Sequence, residues 1–273
     1  MTTEPGATTG GATTGGATGT GGAMGEPTPA LSVVLPAHNE VALLGATVTA
    51  LRNALDDRQR AAEVVIVENG SSDGTLRLAR TLAGQLEDVR LVSLANGDYG
   101  AALAAGLAAA RGSVVACFDV DYFDLDFLDA ALAAVEGGAD LVLASKRAPG
   151  ARDRRPLLRR CLTGGFAAMA RLLVGLGASD AHGMKVLVAD RLGPVVQVTA
   201  SRGSLFDVEM VARASRAGLH IVELPATVEE RRPPRSPVGR RAVESFVGLV
   251  QLRRRLGRGA GRVGRPSATG QGG

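Results

Sequence analysis

The chain has 273 residues, 45% of them hydrophobic, enough to bury one sizeable core with an appendage. Tryptophan is absent and aromatic residues make up 3%, which argues against base stacking on aromatic platforms, so no specific nucleic-acid partner is expected. The net charge of +4 is concentrated in residues 146–160, 231–241 and 253–265, a distribution suited to phosphate ligands or an anionic surface. Cys117 and Cys161 make neither a disulfide framework nor a metal-ligand spacing, which fits a reducing compartment.

Residues 1–29 are dominated by Thr, Gly and Ala, without the basic and apolar regions of a signal peptide, and predict a disordered tail. A short β-branched run over 31–35 stops at Pro36, and Asn39 and Glu40 open an apolar-periodic helix over 41–55. Residues 63–67 repeat the strand and run into a polar turn from Glu68 to Thr75, followed by a helix over 75–85. A third strand over 89–94, a loop over 96–100 and an Ala-rich helix over 101–111 complete the third unit. Four alternations of strand and helix predict right-handed crossovers and a Rossmann-like, mostly parallel α/β sheet with helices on both faces.

The fourth strand, from Ser113, ends in two carboxylates one residue apart, Asp119 and Asp121. The carboxyl ends of strands in open α/β sheets are where ligands bind, and two oxygen-rich side chains could share one hard cation and the diphosphate it carries. Asp124, just before Leu125, reads as the N-cap of the next helix. That helix, over 125–135, and a strand over 140–144 finish a nucleotide-binding half.

Beyond Ser145 come a basic loop over 146–160 and an amphipathic helix over 162–176, whose Phe166, Met169, Leu172 and Leu173 form a stripe for core packing or membrane-surface contact. Strand, helix and strand follow over 184–188, 206–217 and 219–228. A basic amphipathic helix over 239–257 and a disordered Gly- and Arg-rich tail over 258–273 close a domain organisation whose main unit spans 30–238. No apolar run reaches the roughly 18 to 20 residues of a spanning helix. A cytoplasmic protein is expected, free or peripheral at the cytoplasmic face of the membrane.

The motifs taken together resemble the inverting family 2 glycosyltransferases of GT-A fold, and within them the polyprenyl-phosphate (dolichyl-phosphate-type) mannosyl and glucosyl transferases. Pro36-Ala-His-Asn39-Glu40 is similar to that family's first turn, Glu68-Asn69-Gly-Ser71-Ser-Asp73 to its second, and Asn96-x-x-Tyr99-Gly100 to its third. Asp119-Val120-Asp121 resembles its Asp-x-Asp metal motif, with Phe123 where a Gln is common. These residues are the implied donor site, and Asp119 and Asp121 the implied ligands of Mg²⁺ or Mn²⁺. Ser145-Lys146-Arg147, Arg159 with Thr163, and Arg231 with Ser236 resemble the elements that hold an acceptor phosphate. Further matches are Asp180-Ala-His-Gly183-Met-Lys185, Phe206-Asp-Val-Glu209 and Glu223-Leu-Pro225.

The resemblance implies transfer of a hexose, with inversion, from a nucleoside-diphosphate sugar (GDP-mannose or UDP-glucose type) to polyprenyl phosphate at the membrane surface, as in cell-envelope glycan synthesis. A phosphate monoester is already anionic near neutral pH, so such an acceptor needs cations more than a general base. Glu209 falls where some relatives carry a base, although a carboxylate orienting an Arg would look the same. Two alternatives stay open: a soluble metabolite or saccharide as acceptor, and a non-catalytic nucleotide-sugar-binding protein. His38 and His182 read as loop residues, and Arg231 to Arg235 as either a solvated loop or one that closes over the donor.

Overall fold

The computed structural model describes residues 30–153, 157–228 and 238–258. The expected tails over 1–29 and 258–273 lie outside the described residues, except for Arg258 at the end of the last helix.

The chain runs β1 (Leu31–Ala37), α1 (Leu44–Asp57), β2 (Ala62–Asn69), α2 (Thr75–Gln85), β3 (Val89–Leu94), α3 (Tyr99–Ala109), β4 (Val114–Cys117), α4 (Leu125–Glu136) and β5 (Leu141–Ser145). It continues through β6 (Arg152–Asp153), α5 (Leu157–Val174), β7 (Lys185–Val188), α6 (Ala189–Gln197), α7 (Leu205–Arg216), β8 (Ile221–Pro225), β9 (Thr227–Val228) and α8 (Val238–Arg258). Seven strands form one sheet in the order β3-β2-β1-β4-β7-β5-β8, and β6 pairs with β9 separately. The β1–β2, β1–β4, β2–β3 and β5–β8 pairs are parallel, as alternating strand and helix requires.

Alternation of side chains sends the strands' apolar residues to two cores. Val34, Val65, Val67, Val115 and Cys117 face one layer of helices, and Val33, Leu35, Val64, Ile66, Ala116 and Phe118 face the other. α5 and α8 bury Ala170, Val174, Leu249, Leu252 and Leu256 in the first core. Within the stripe expected of α5, Phe166, Met169 and Leu173 pack against that core, whereas Leu172 is exposed. Among the described residues, no helix is long and apolar enough to cross a membrane.

Four details depart from expectation. The stretch expected as a basic loop over 146–160 contains β6 and the start of α5, which runs over Leu157–Val174 in place of 162–176. α1 starts at Leu44 rather than 41, because the Glu40 carbonyl accepts from both Leu43 N and Leu44 N in a turn that comes first. β7 is antiparallel to both neighbours and is wedged between β4 and β5, with Cys117 opposite Lys185 and Leu143 also opposite Lys185. α6 has no counterpart in the sequence reading. It contains Gly193 and Pro194, which argue against a helix, yet buries Leu192, Val195 and Val196.

Candidate active site

The carboxyl ends of β1, β2, β3 and β4 lie along one edge, and hydrogen bonds join the loops there. Asn39 takes a left-handed backbone, φ 55°, which Asn tolerates, and its N–H donates to Ser71 Oγ at 3.0 Å while its side-chain oxygen accepts from Ser72 N at 2.8 Å. Glu40 N donates to Thr75 Oγ1 at 2.8 Å, and Val41 N to Asp73 Oδ2 at 3.2 Å. Asn69 Oδ1 accepts from Asp98 N at 2.9 Å, and Gly70, at φ 63°, sits where a Cβ would lie 2.9 Å from Asn96 and Gly97 backbone atoms. Pro36 does not stop β1 as expected but stands inside it, opposite Val67, and the strand runs on to Ala37. Of the expected donor residues, Asn39, Ser71, Asp73 and Asn69 thus form one frame.

Glu68 has turned inward. It is 1% exposed, and its carboxylate accepts from Ser71 N at 2.6 Å and Ser93 Oγ at 3.1 Å, so it shapes the second loop from beneath. Tyr99 and Gly100 open α3 under an N-cap from Asp98, which accepts from Ala101 N and, across the crevice, from Gly203 N, each at 3.0 Å. A Cβ on Gly100 would lie 2.7 Å from Phe206 Cβ, so α3 and α7 meet at that glycine.

β4 ends at Cys117, before the carboxylates. Asp119 and Asp121 are carried by a tight turn in which Tyr122 N donates to Asp119 O at 3.1 Å. Thr47 Oγ1 of α1 fixes the intervening Val120 carbonyl at 2.6 Å, and the Val120 side chain is buried. Asp124 caps α4 by accepting from Asp126 N and Phe127 N, as expected, and so has a separate task. Asp119 presents surface to solvent, yet the protein around it desolvates its carboxyl and lifts it above the ordinary carboxylate range, with Asp121 and Asp207 adding to the rise and Lys185 and Lys146 opposing it. Among the described residues, no three His, Cys, Asp or Glu side chains converge as a metal site. Two carboxylates suit a cation whose other ligands are oxygens of a bound diphosphate and water, as is usual for Mg²⁺.

On the other side of the crevice, Arg147 N and Ala148 N donate to Ser145 Oγ at 3.1 and 3.2 Å. Ser179 Oγ donates to Glu223 Oε1 at 2.6 Å, which leaves Ser145 Oγ to donate to Ser179 Oγ at 2.8 Å. Glu223 also accepts from Ser179 N and Asp180 N. Asp180 is 4% exposed; its Oδ2 makes no hydrogen bond and has the Lys146 ammonium 3.6 Å away. Arg147 lies along α5, where a Cβ on Gly164 would be 2.9 Å from its Nη2. Thr163 is half-buried in α5. The side chain of Arg159, and Arg231 and Ser236 as a whole, lie outside the described residues.

Glu209 is fully buried. It accepts from Ser201 N at 2.8 Å and pairs with Arg213 at 2.6 Å and Arg255 at 3.7 Å. Burial alone would raise its carboxyl, but the hydrogen bonds from Ser201 and Arg213 and the charges of Arg213 and Arg255 hold it below the ordinary range. That is the setting of an anchoring carboxylate rather than of a base. The sequence reading assigned no role to Asp98, Asp180, Lys185 or Asp207. Lys185 is fully buried, donates to Gly183 O at 2.9 Å and pairs with Asp207 at 3.2 Å.

Residues 32–187, more than half of the chain, match the family model described as Glycosyl transferase family 2. A Micrococcus luteus protein named undecaprenyl-phosphate mannosyltransferase is 32% identical over 206 residues, covering 72% of this chain and 83% of that one. Crystal structures of glucosyl-3-phosphoglycerate synthase from Mycobacterium tuberculosis align with TM-score 0.61 at 21% identity, covering 82% of this chain and 80% of theirs. One holds UDP, and another holds Mn²⁺, UDP-glucose and phosphoglyceric acid. The GT-A-like architecture and the divalent cation expected from the sequence agree with these structures. The acceptor expectation is corrected by them: the molecules held beside UDP-glucose are phosphoglyceric acid and glycerol 3-phosphate, which are soluble, in place of polyprenyl phosphate. The expected role in cell-envelope glycan synthesis, which rested on that lipid acceptor, is withdrawn with it, as is the placement within the polyprenyl-phosphate transferases.

Proposed function

Because the chain belongs to glycosyltransferase family 2, we propose that it moves a hexose from a nucleoside-diphosphate sugar such as UDP-glucose to a soluble, phosphorylated small-molecule acceptor. The observation that carries this reading is the gathering of charge at the carboxyl ends of the strands, where the strand order turns back between β1 and β4. Asp119 and Asp121 stand on the turn after β4, Lys146 after β5 is near enough for its charge to act on the Asp119 carboxyl, and Asn39, Ser71 and Asn69 frame the loops after β1 and β2.

Asp119 and Asp121 would hold Mn²⁺ or Mg²⁺, which when bound neutralises charge growing on the departing diphosphate. The first three loops seat the nucleotide in a frame held by their own hydrogen bonds. Lys146 and Arg147 place the acceptor's phosphate by charge-assisted hydrogen bonds. An acceptor oxygen then bonds to the anomeric carbon as the bond from that carbon to the diphosphate breaks, the electron pair leaving with the diphosphate and configuration inverting. When the attacking group is a hydroxyl its proton needs an acceptor, and the candidate is Asp180 Oδ2, which is buried, makes no hydrogen bond and lies 3.6 Å from the Lys146 ammonium assigned to the acceptor's phosphate.

The test incubates the full chain with Mn²⁺ and radiolabelled UDP-glucose, adding 3-phosphoglycerate, glycerol 3-phosphate or polyprenyl phosphate in separate reactions. Labelled anionic product in the aqueous phase that disappears with EDTA is expected. Label extracted into organic solvent, or no transfer to any soluble phosphate, would overturn the reading.

A further inference from the structure

A buried ion pair, Lys185 with Asp207, lies next to the strand that leads into the Asp119 turn. Lys185 enters the sheet opposite Cys117, two residues before Asp119, and is closed off from solvent. A lysine is almost never fully buried unless paired, so its ammonium must find a carboxylate. Lys185 stands opposite Cys117 in the sheet and pairs with Asp207 of α7, and the charges of Asp207, Tyr99, Cys117 and Asp119 are those that act on its ammonium. A thiol and a phenol are neutral near pH 7. That leaves two carboxylates, Asp207 and Asp119, for one cation. Asp207 wins the ammonium at 3.2 Å through an oxygen that makes no hydrogen bond with it or with any other group, a pairing held by charge alone.

We propose that Asp207 is a positioning residue for the metal site, a dedicated counter-ion that keeps Lys185 from turning to Asp119 and so leaves the Asp119 carboxylate for the divalent cation. The inference rests on the assignment of Asp119 and Asp121 as metal ligands. Lys185 in turn ties β7 to α7, so the same pair fixes the wall from which Asp98 and Gly203 bridge the crevice. Outer partners of this kind typically change metal affinity by about 10- to 100-fold when altered.

The experiment measures Mn²⁺ binding to the full-length protein in the presence of UDP by titration calorimetry, beside thermal unfolding of each variant. In Asp207→Asn the ammonium turns to Asp119, and Mn²⁺ is expected to bind at least tenfold more weakly. In Lys185→Met/Asp207→Asn the competing cation is gone and wild-type binding should return. Unchanged binding in Asp207→Asn, or weakened binding that the second substitution fails to rescue, would overturn the proposal. Should Asp207→Asn not fold, the neutral double variant decides alone: affinity within threefold of wild type supports the proposal, and a larger loss overturns it. Asp121→Asn serves as the control, since Mn²⁺ binding that survives it unweakened removes the metal-site assignment and the proposal with it.

Discussion

Around β1, β2 and β3 the polar groups of the site are satisfied by backbone N–H groups and hydroxyls, the carboxylates of Glu68 and Asp73 included: Asn39 with Ser71 and Ser72, Glu40 N with Thr75, Asn69 with Asp98 N, Glu68 with Ser71 N and Ser93, Asp73 with Val41 N and Thr75. Around β5, β7 and β8 buried ion pairs are added to such bonds: Lys185 with Asp207, and Glu209 between Arg213 and Arg255. The first region presents a fixed shape, suited to a nucleotide that does not change during transfer. The second presents a field, suited to the side where charge moves. Fixed dipoles and ions cost folding energy but no reorganisation during reaction.

The largest effect should come from the charge at the boundary between the two regions. Asp121→Asn is expected to keep the fold and lower metal-dependent turnover by about 10²–10³-fold, read from initial rates at saturating Mn²⁺. Near-wild-type turnover would remove the carboxylate pair from the mechanism.

Glu209→Gln strikes the second region alone and should cost about 3 kcal/mol, the order seen when a buried ion pair is broken. The sign with pH follows from the depressed carboxyl of Glu209. Its contribution is whole above the ordinary glutamate value of about 4.3 and is lost as pH falls through the lower folded value. The gap in stability between wild type and variant should therefore narrow below about pH 4, measured by urea unfolding across pH. A gap that stays constant would mean that packing, not charge, holds this corner.

Gly100→Ala probes the seam between the regions. Its methyl group would press on Phe206, and about 1–3 kcal/mol of destabilisation is expected, with an unchanged dependence on denaturant. The smallest effect is expected at the far edge of the sheet. Arg191 pairs with Asp140 at 2.9 Å but is half-exposed, and Arg191→Ala should cost less than about 1 kcal/mol. A larger loss would show that charge matters in the second region even away from the crevice.

Most of the first region was legible in the sequence, because strands with apolar alternation and loops rich in Asn, Ser and Asp announce themselves locally. The run from Val114 to Cys117 and the carboxylates beyond it marked the site. The second region was less legible for a physical reason: its determinants are long-range. Four residues, Lys185–Val188, carry no signal of strand direction, so the antiparallel wedge was invisible. A lysine between Met184 and Val186 reads as a solvent-facing position until its partner 22 residues later is known. Gly193 and Pro194 hid α6, which forms because it buries Leu192, Val195 and Val196. Glu68 was readable as an acidic group at a strand end, but not as one turned inward by Ser93 on the neighbouring strand.

The antiparallel entry of β7 also sets what can be exchanged between descendants of this chain. Ala144 N donates to Met184 O at 3.0 Å, so the excursion that leaves after β5 returns to the sheet beside its own point of departure. Everything between Ser145 and Gly183, including α5 and the basic residues of the acceptor wall, is a closed loop hung on two adjacent sheet positions. Recombination could replace that cassette whole without breaking a rung of the seven-stranded ladder. The donor-binding half would be inherited intact while the acceptor changed.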